Sequence, residues 1–431
     1  MQRQTCCPPS LLLLLAAIVV AMSSTPRVLA SKLQASPAIS LVDWIQSGET
    51  NGGFFDDAKI EIRRMFPHQM DSPMGVFAKQ DIAMNETILK IPRHFYLGLT
   101  RGTHPSKATT TTTPTEETYN MSDYFSTTCR LAHKLLEEMS KYEAHQPNNS
   151  SDYLPYLAYI QSQPKGQIPA TYSPVGKEVL RKLSGSNSST GREEDDTKDD
   201  YSLPPWQLVD WIDLHFVQTG CIAKGDDVAY HAVALVIQRG YDHELIPVWD
   251  MFNHDNGKLN LETNSLQSLE GLKVWAANDI RAGEELYASY NYCYDCLDVG
   301  DDWGTPGIFR DFGFVEDYPQ VWPFWNHNFF FEVNRNEETG EIHAEFEVDE
   351  ETGRLGWVPD EKGLAYLQTE YNRLTKFVVD DEIEQLGAKA KLPLNEYQNI
   401  KRYHASLVIA LKAGIEAALE VQGSTTSNDE L

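Results

Sequence analysis

Apolar residues recur along this chain with two different periods, and each change of period marks an element. Leu41, Val42 and Ile45 share one face at helical spacing, so the stretch from Ile39 predicts a helix. Gly75-Val-Phe-Ala, Asp81-Ile and Thr87-Ile-Leu-Lys-Ile are short apolar runs broken by turn residues, and these predict strands. Leu131, Leu135, Leu136 and Met139 return to a spacing of three and four, which predicts a helix over Cys129 to Tyr142. Tyr153-Leu-Pro-Tyr-Leu-Ala-Tyr-Ile leads on to Pro164 and Pro169. A second helical run is expected over Trp206 to Thr219, and an apolar segment ends at Gln238-Arg239. Gly283-Glu-Glu-Leu-Tyr-Ala-Ser-Tyr then reads as a turn into a strand. Strand alternation puts Leu286, Ala288 and Tyr290 on one face, with Tyr287 and Ser289 on the other. Asn328 to Val358 alternates like a small β-meander, and two helices, Glu361 to Val379 and Leu394 to Val421, follow it.

Two low-complexity stretches interrupt these blocks. Thr100 to Thr118 holds a five-threonine run, and Ser184 to Asp200 is Ser/Gly/Asn-rich and then acidic; both read as surface loops. At the start, Leu11 to Val20 is wholly apolar behind Arg3 and ahead of Val28-Leu29-Ala30. This reads as a secretory signal peptide, the apolar core being too short to span a bilayer. The chain ends in Asn428-Asp429-Glu430-Leu431, one position away from the Lys-Asp-Glu-Leu retrieval signal. Both ends predict the endoplasmic reticulum lumen and a retrieval receptor as partner, with a plastid reached by a bipartite address as the alternative. Sequons at Asn85, Asn120, Asn148, Asn149 and Asn187 agree with the secretory route.

The expected organisation is a signal peptide at 1–30, a β-rich segment at 39–98, a loop at 99–119 and a helical insert at 120–226 with its acidic loop at 184–200. The second β-rich segment, 227–320, carries the motifs described below. A β/helical region at 321–421 and a tail at 422–431 complete the chain. The net charge of −27 argues against nucleic-acid binding through a basic surface and suits basic protein substrates or simply an acidic surface. Beyond Cys6 and Cys7, only Cys129, Cys221, Cys293 and Cys296 remain, so no disulfide framework is expected. Cys129 and Cys221 lack metal-like spacing. Cys293-Tyr-Asp-Cys296 offers too few ligands for structural zinc and reads as a local disulfide or two free thiols.

The chemistry concentrates in two phrases, Leu245-Ile-Pro-Val-Trp-Asp-Met-Phe-Asn-His254 and Ala277-Asn-Asp-Ile-Arg-Ala-Gly-Glu-Glu-Leu-Tyr-Ala-Ser-Tyr-Asn291. In that order they resemble the core signature of SET-domain protein methyltransferases. The branch they resemble holds the Rubisco large-subunit lysine methyltransferase and the actin-histidine methyltransferase. The resemblance implies an α+β fold: a β-rich SET core split by a helical insert, followed by a mixed, mainly helical C-terminal region. It implies S-adenosylmethionine as cofactor and a protein substrate with a lysine-bearing or basic segment, without metal, nucleic acid or a membrane span after signal cleavage.

The same resemblance assigns roles. Tyr290 stands at the methyl-transfer point, with Asn291 where a glycine is usual. Asn253 and His254 bind the cofactor, Gly75 lets the backbone approach it, and Arg239 lies near its carboxylate. Asp250, Tyr241 and Phe312 line the acceptor channel. Read without the resemblance, Tyr290 is a core tyrosine, Gly75 a turn glycine, Asn253-His254 a surface turn and Arg239 half of a surface salt bridge. Arg239-Gly240-Tyr241 offers an aromatic wall where histidine-modifying relatives look like Arg-Gln-Asn. This tilts the acceptor toward lysine and leaves a histidine acceptor, or a catalytically silent SET-fold binding module, as alternatives.

Overall fold

The computed structural model describes residues 37–47, 53–65, 74–99, 121–143, 151–185, 203–204, 207–241, 244–264, 268–290, 304–324, 327, 329–346, 358–387 and 392–428. The stretch read as a signal peptide, the threonine-rich and acidic stretches read as loops (the latter beyond residue 185), Cys293, Cys296 and the last three residues lie outside them. Of the five sequons only Asn85 lies within.

The N-terminal part is a set of small antiparallel sheets. Helix α1 (Pro37–Gln46) buries Leu41 and Ile45, as its spacing predicts. Strands β1 (Phe54–Phe55), β2 (Ile60–Arg64), β3 (Met74–Ala78), β4 (Thr87–Ile91) and β5 (Leu97–Gly98) follow. β2 pairs with β3, with Arg63 opposite Gly75.

The insert supplies α2 (Met121–Glu143), α3 (Leu154–Gln161) and α4 (Pro174–Ser184). The expected helix over Trp206 to Thr219 is present in part: among the described residues 211–212 are α-helical and Asp213–Val217 π-helical, closed by Gln218 N–H donating to the Asp213 carbonyl, with turns on either side. Such wide turns let a helix reposition its side chains, and here Phe216 is driven fully into the core. A second correction concerns the cysteines: Cys129 on α2 and Cys221 just past the π-helical stretch form a disulfide across 92 residues. No local spacing announces a bridge of that length.

Helix α5 (Asp227–Arg239) is capped by Asp226, whose carboxylate accepts from Val228 and Ala229 N–H. Strands β6 (Gly240–Tyr241), β7 (Glu244–Leu245), β8 (Leu261–Thr263) and β9 (Leu272–Ala276) come next. They join the earlier strands into sheets ordered β1-β4-β9-β8 and β5-β7-β6, all antiparallel. Pairing strands from both sides of the insert therefore makes one β-rich core, with Leu89, Ile91, Leu97, Leu245 and Val274 fully buried in it.

Helix α6 (Thr305–Phe312) leads into β10 (Gln320–Phe324), β11 (Phe329–Arg335) and β12 (Ile342–Glu345), a three-stranded meander. The expected meander is present; it begins eight residues earlier, at Gln320. Among the described residues that follow there are three helices rather than two, α7 (Glu361–Leu374), α8 (Val379–Gln385) and α9 (Leu394–Asn428). The stretch read as one helix breaks after Leu374, and Asp380, Asp381 and Glu382 favour the N-terminus of a new one at Val379. Phe331, Phe329 and Trp322 of the meander and Leu407, Ala410 and Leu411 of α9 form a second apolar cluster. Among the described residues no helix is long and apolar enough to cross a membrane.

Candidate active site

The two phrases lie side by side. Glu284 to Ala288 run along β3 on one side, where Ala78 N–H donates to the Glu284 carbonyl and Leu286 N–H to the Val76 carbonyl (2.8 Å each). On the other side Asn253 and Tyr287 form a parallel bridge, with Ala288 N–H donating to the Asn253 carbonyl at 2.9 Å. Asn260 completes the clamp: its Oδ1 accepts from Tyr287 N–H and its Nδ2 donates to the Glu285 carbonyl. The alternation expected for this strand holds, since Leu286 and Ala288 are buried and Tyr290 follows on the same face.

The approach to the first phrase is strained. Val248 is fully buried with φ +70° and ψ −40°, a conformation that costs a β-branched residue of order 1–3 kcal/mol. It turns the chain so that Asp250 faces inward.

Tyr290 is held from three directions. Its hydroxyl donates to the Phe252 carbonyl at 2.9 Å, and its N–H donates to His254 Nδ1 at 3.1 Å. Its ring lies 4.5 Å from the ring of Phe312 and 5.2 Å, nearly parallel, from that of His254. Gly313 closes α6 behind Phe312 at φ +80°, where a Cβ would lie 1.8 Å from the Gln167 carbonyl oxygen. Only glycine fits there. Burial raises the Tyr290 phenol well above its ordinary range, with Asp250 adding to the rise and Arg239 opposing it. The phenol is therefore neutral throughout the physiological range.

His254 lies against Tyr290. Its side chain is fully buried, and Nε2 lies 2.8 Å from Glu316 Oε2. A backbone N–H can only donate, so Nδ1 accepts from Tyr290 and the ring proton sits on Nε2, donating to Glu316. The 3.2 Å approach of Nδ1 to the Ala288 carbonyl is then a contact between acceptors. Glu316 is itself fixed by the Thr305 hydroxyl at 2.7 Å. Both ring nitrogens are engaged within the protein, and the imidazole supports Tyr290.

Arg239 is held through its two terminal nitrogens. Its Nη1 donates to the Tyr159 hydroxyl (3.0 Å), the Asp250 carbonyl (3.0 Å) and Asp250 Oδ2 (3.3 Å), and Nη2 donates to Gln163 Oε1. With 13% of the side chain exposed, it is paired with Asp250, while its buried Nε has no hydrogen-bond partner. Burial works against its charge, but the oxygens of Tyr159, Asp250 and Tyr156 hold its pKa above the usual value. The Asp250 carboxylate is 1% exposed and also accepts from the Tyr156 hydroxyl at 3.1 Å, while its Oδ1 has no partner. Burial raises its pKa to about 6, against the pull of Arg239.

Gly75 sits where Asn253 meets the second phrase. A Cβ there would lie 2.2 Å from Glu285 Oε1 and 2.9 Å from Asn253 Nδ2, so the glycine makes room for these two side chains. Asn253 Nδ2 donates to the Met74 carbonyl (3.1 Å) and to Glu285 Oε1 (2.6 Å). Tyr241 is half-buried on β6, opposite Glu244.

Sequence reasoning missed Tyr156, Tyr159, Gln163, Glu285 and Glu316. Tyr156 and Tyr159 had a legible signal, because a separation of three puts them on one helix face. Glu285 lay inside a quoted motif. Glu316 had none, since its partner His254 is 62 residues away.

The SET domain family model matches residues 74–291, just over half of the 431 residues. The chain belongs to the SET domain family. No curated protein matches it by sequence. Among solved structures it is similar to the SET domain of LSMT bound to lysine and AdoHcy, with 11% identity, 90% of this chain and 92% of that one covered, and a TM-score of 0.43. It is also similar to Rubisco LSMT bound to AdoMet, with 10% identity, coverages of 89% and 92%, and a TM-score of 0.43.

Proposed function

We propose that this protein is an S-adenosylmethionine-dependent protein N-methyltransferase acting on lysine. One observation carries the reading: Tyr290, neutral and fixed in place, stands where both family phrases meet and where the Arg239–Asp250 pair and Phe312 converge. The residues also fit the cofactor. Asn253 keeps its amide oxygen outside its hydrogen bonds.

When bound, S-adenosylmethionine supplies an electrophilic methyl group on a cationic sulfur. Methyl transfer creates little new charge, so the protein contributes alignment and exclusion of water. Tyr290 supplies an oxygen fixed by its bond to Phe252, and Phe312 supplies an apolar wall. A lysine nitrogen must be neutral to attack, and an apolar surround lowers its pKa in that direction. Asp250, once ionised above about pH 6, offers Oδ1 as an acceptor that orients an N–H of the incoming amine.

We further place the protein in the secretory pathway. The Cys129–Cys221 disulfide suits an oxidising compartment. Asn85 of the Asn-Glu-Thr sequon is exposed at a turn with φ +65°, open to a glycan. Retrieval through the C-terminal tail belongs to the same proposal.

Incubation of the purified chain with methyl-labelled S-adenosylmethionine and lumenal protein, followed by amino-acid analysis, tests the activity. Label in methyllysine supports the reading. Label in methylhistidine would replace the acceptor, and no label with a bound cofactor would leave a silent binding module.

A further inference from the structure

Among the described residues, Cys129, His133 and Cys221 bring three metal-ligand atoms, two sulfurs and one ring nitrogen, within 4.8 Å of one another. None of the three belongs to the candidate active site. Cys129 and His133 are four apart, so α2 presents them on one face. Cys221 meets them from the segment that leads into α5, its Cα 5.9 Å from that of Cys129. His133 Nε2 lies 2.8 Å from the Cys221 carbonyl. A carbonyl only accepts, so in the neutral ring Nε2 carries the proton and the lone pair falls on Nδ1. Donation to a carbonyl through the other nitrogen is how a metal-ligating imidazole is oriented. His133 is exposed and both cysteines are half-buried, which gives a cation an entry path from solvent.

The disulfide occupies both sulfurs, so the bridge and a bound cation exclude each other. A dithiol reductant gives the bridge two electrons and two protons. The S–S bond breaks, two thiols form, and the reductant closes into its own disulfide. A divalent cation then displaces both thiol protons to solvent and bonds the two thiolates and the imidazole. The two thiolates balance its charge. Bonds of about 2.0–2.3 Å around a tetrahedral zinc set its ligands roughly 3.3–3.8 Å apart. The freed sulfurs part toward that spacing, and the His133 ring closes by about 1.5 Å or less. Thiolate and imidazole together select zinc over magnesium or calcium. We infer that reduced Cys129 and Cys221 form, with His133, a zinc site whose fourth position is left to water. The cation then takes over the tie between α2 and the entry to α5. A separation of 92 residues hides this set from the sequence, where neither cysteine has metal-like spacing.

The full chain with Cys6→Ser, Cys7→Ser, Cys293→Ser and Cys296→Ser keeps this pair as its only cysteines. Reduced, freed of reductant and kept from air, it is titrated with cobalt(II), which reports ligand type and geometry in its absorption, and zinc then competes. We expect one equivalent of cobalt with the spectrum of a tetrahedral thiolate site, displaced by zinc, and no such spectrum from the oxidised chain. His133→Ala, a change at an exposed position, should weaken cobalt binding at least about tenfold with secondary structure unchanged. A second measurement does not depend on the spectrum. Zinc should return most of the melting temperature lost on reduction, and magnesium none of it. A reduced chain without the tetrahedral spectrum, an equal spectrum from the oxidised chain, unaltered binding in His133→Ala, or a reduced chain that zinc fails to stabilise would each overturn the site.

Discussion

At the residue scale, the site separates groups that meet ligands from groups that hold other groups still. Tyr290→Phe removes one hydroxyl and its bond to Phe252, a net loss of about 1 kcal/mol of stability. Methyl transfer should fall about 100-fold or more, the size expected when a reacting group loses its alignment; melting and transfer assays on one preparation check both. His254→Ala should behave in the opposite way. It strands the Glu316 carboxylate in the core and costs about 3 kcal/mol or more, visible in denaturant unfolding without any ligand. Asp250 makes a pH-dependent prediction. Its folded pKa of about 6 lies above the unfolded value, so the folded state binds the extra proton. Its contribution to stability is therefore most favourable below about pH 4 and declines as pH rises through 6. Wild type should lose up to about 3 kcal/mol relative to Asp250→Asn across that window, and parallel unfolding curves for the two would contradict the assignment. Tyr290, Asn253 and Asp250 could be named from two short phrases because backbone geometry fixes their neighbours. The partners of Asp250 could not, since Tyr156 lies 94 residues away and packing alone brings it there.

At the element scale, the periods of apolar residues identified α1, α2 and the strands β3 and β4, where one buried face decides the conformation; α5 read only as an apolar segment. They held only in part at Trp206 to Thr219, where helix is confined to 211–217 and widens into a π-helical stretch that buries Phe216, with turns on either side. They also ran the expected helix past the break at Thr375 to Val379 and missed α8, which begins there. The disulfide ties α2 to the segment entering α5, the helix that ends at Arg239. By loop-closure entropy a bridge of this span contributes about 4 kcal/mol. Reduction, or Cys129→Ala with Cys221→Ala, should lower the melting temperature and speed proteolysis of the insert. No change would mean the bridge does not form in solution.

At the scale of the whole molecule, the β-rich core was legible because both its halves carry strand patterns. How they close on each other, with β4 paired to β9 and β5 to β7 across the helical insert, depends on contacts between residues more than a hundred positions apart. The central claim is that this closure builds a cofactor site. Calorimetric titration of S-adenosylmethionine into the purified chain, beside an Asn253→Ala variant, tests it most directly. Micromolar binding to wild type, lost or weakened at least about tenfold in the variant, is the predicted result. Absence of binding to either protein would contradict the account.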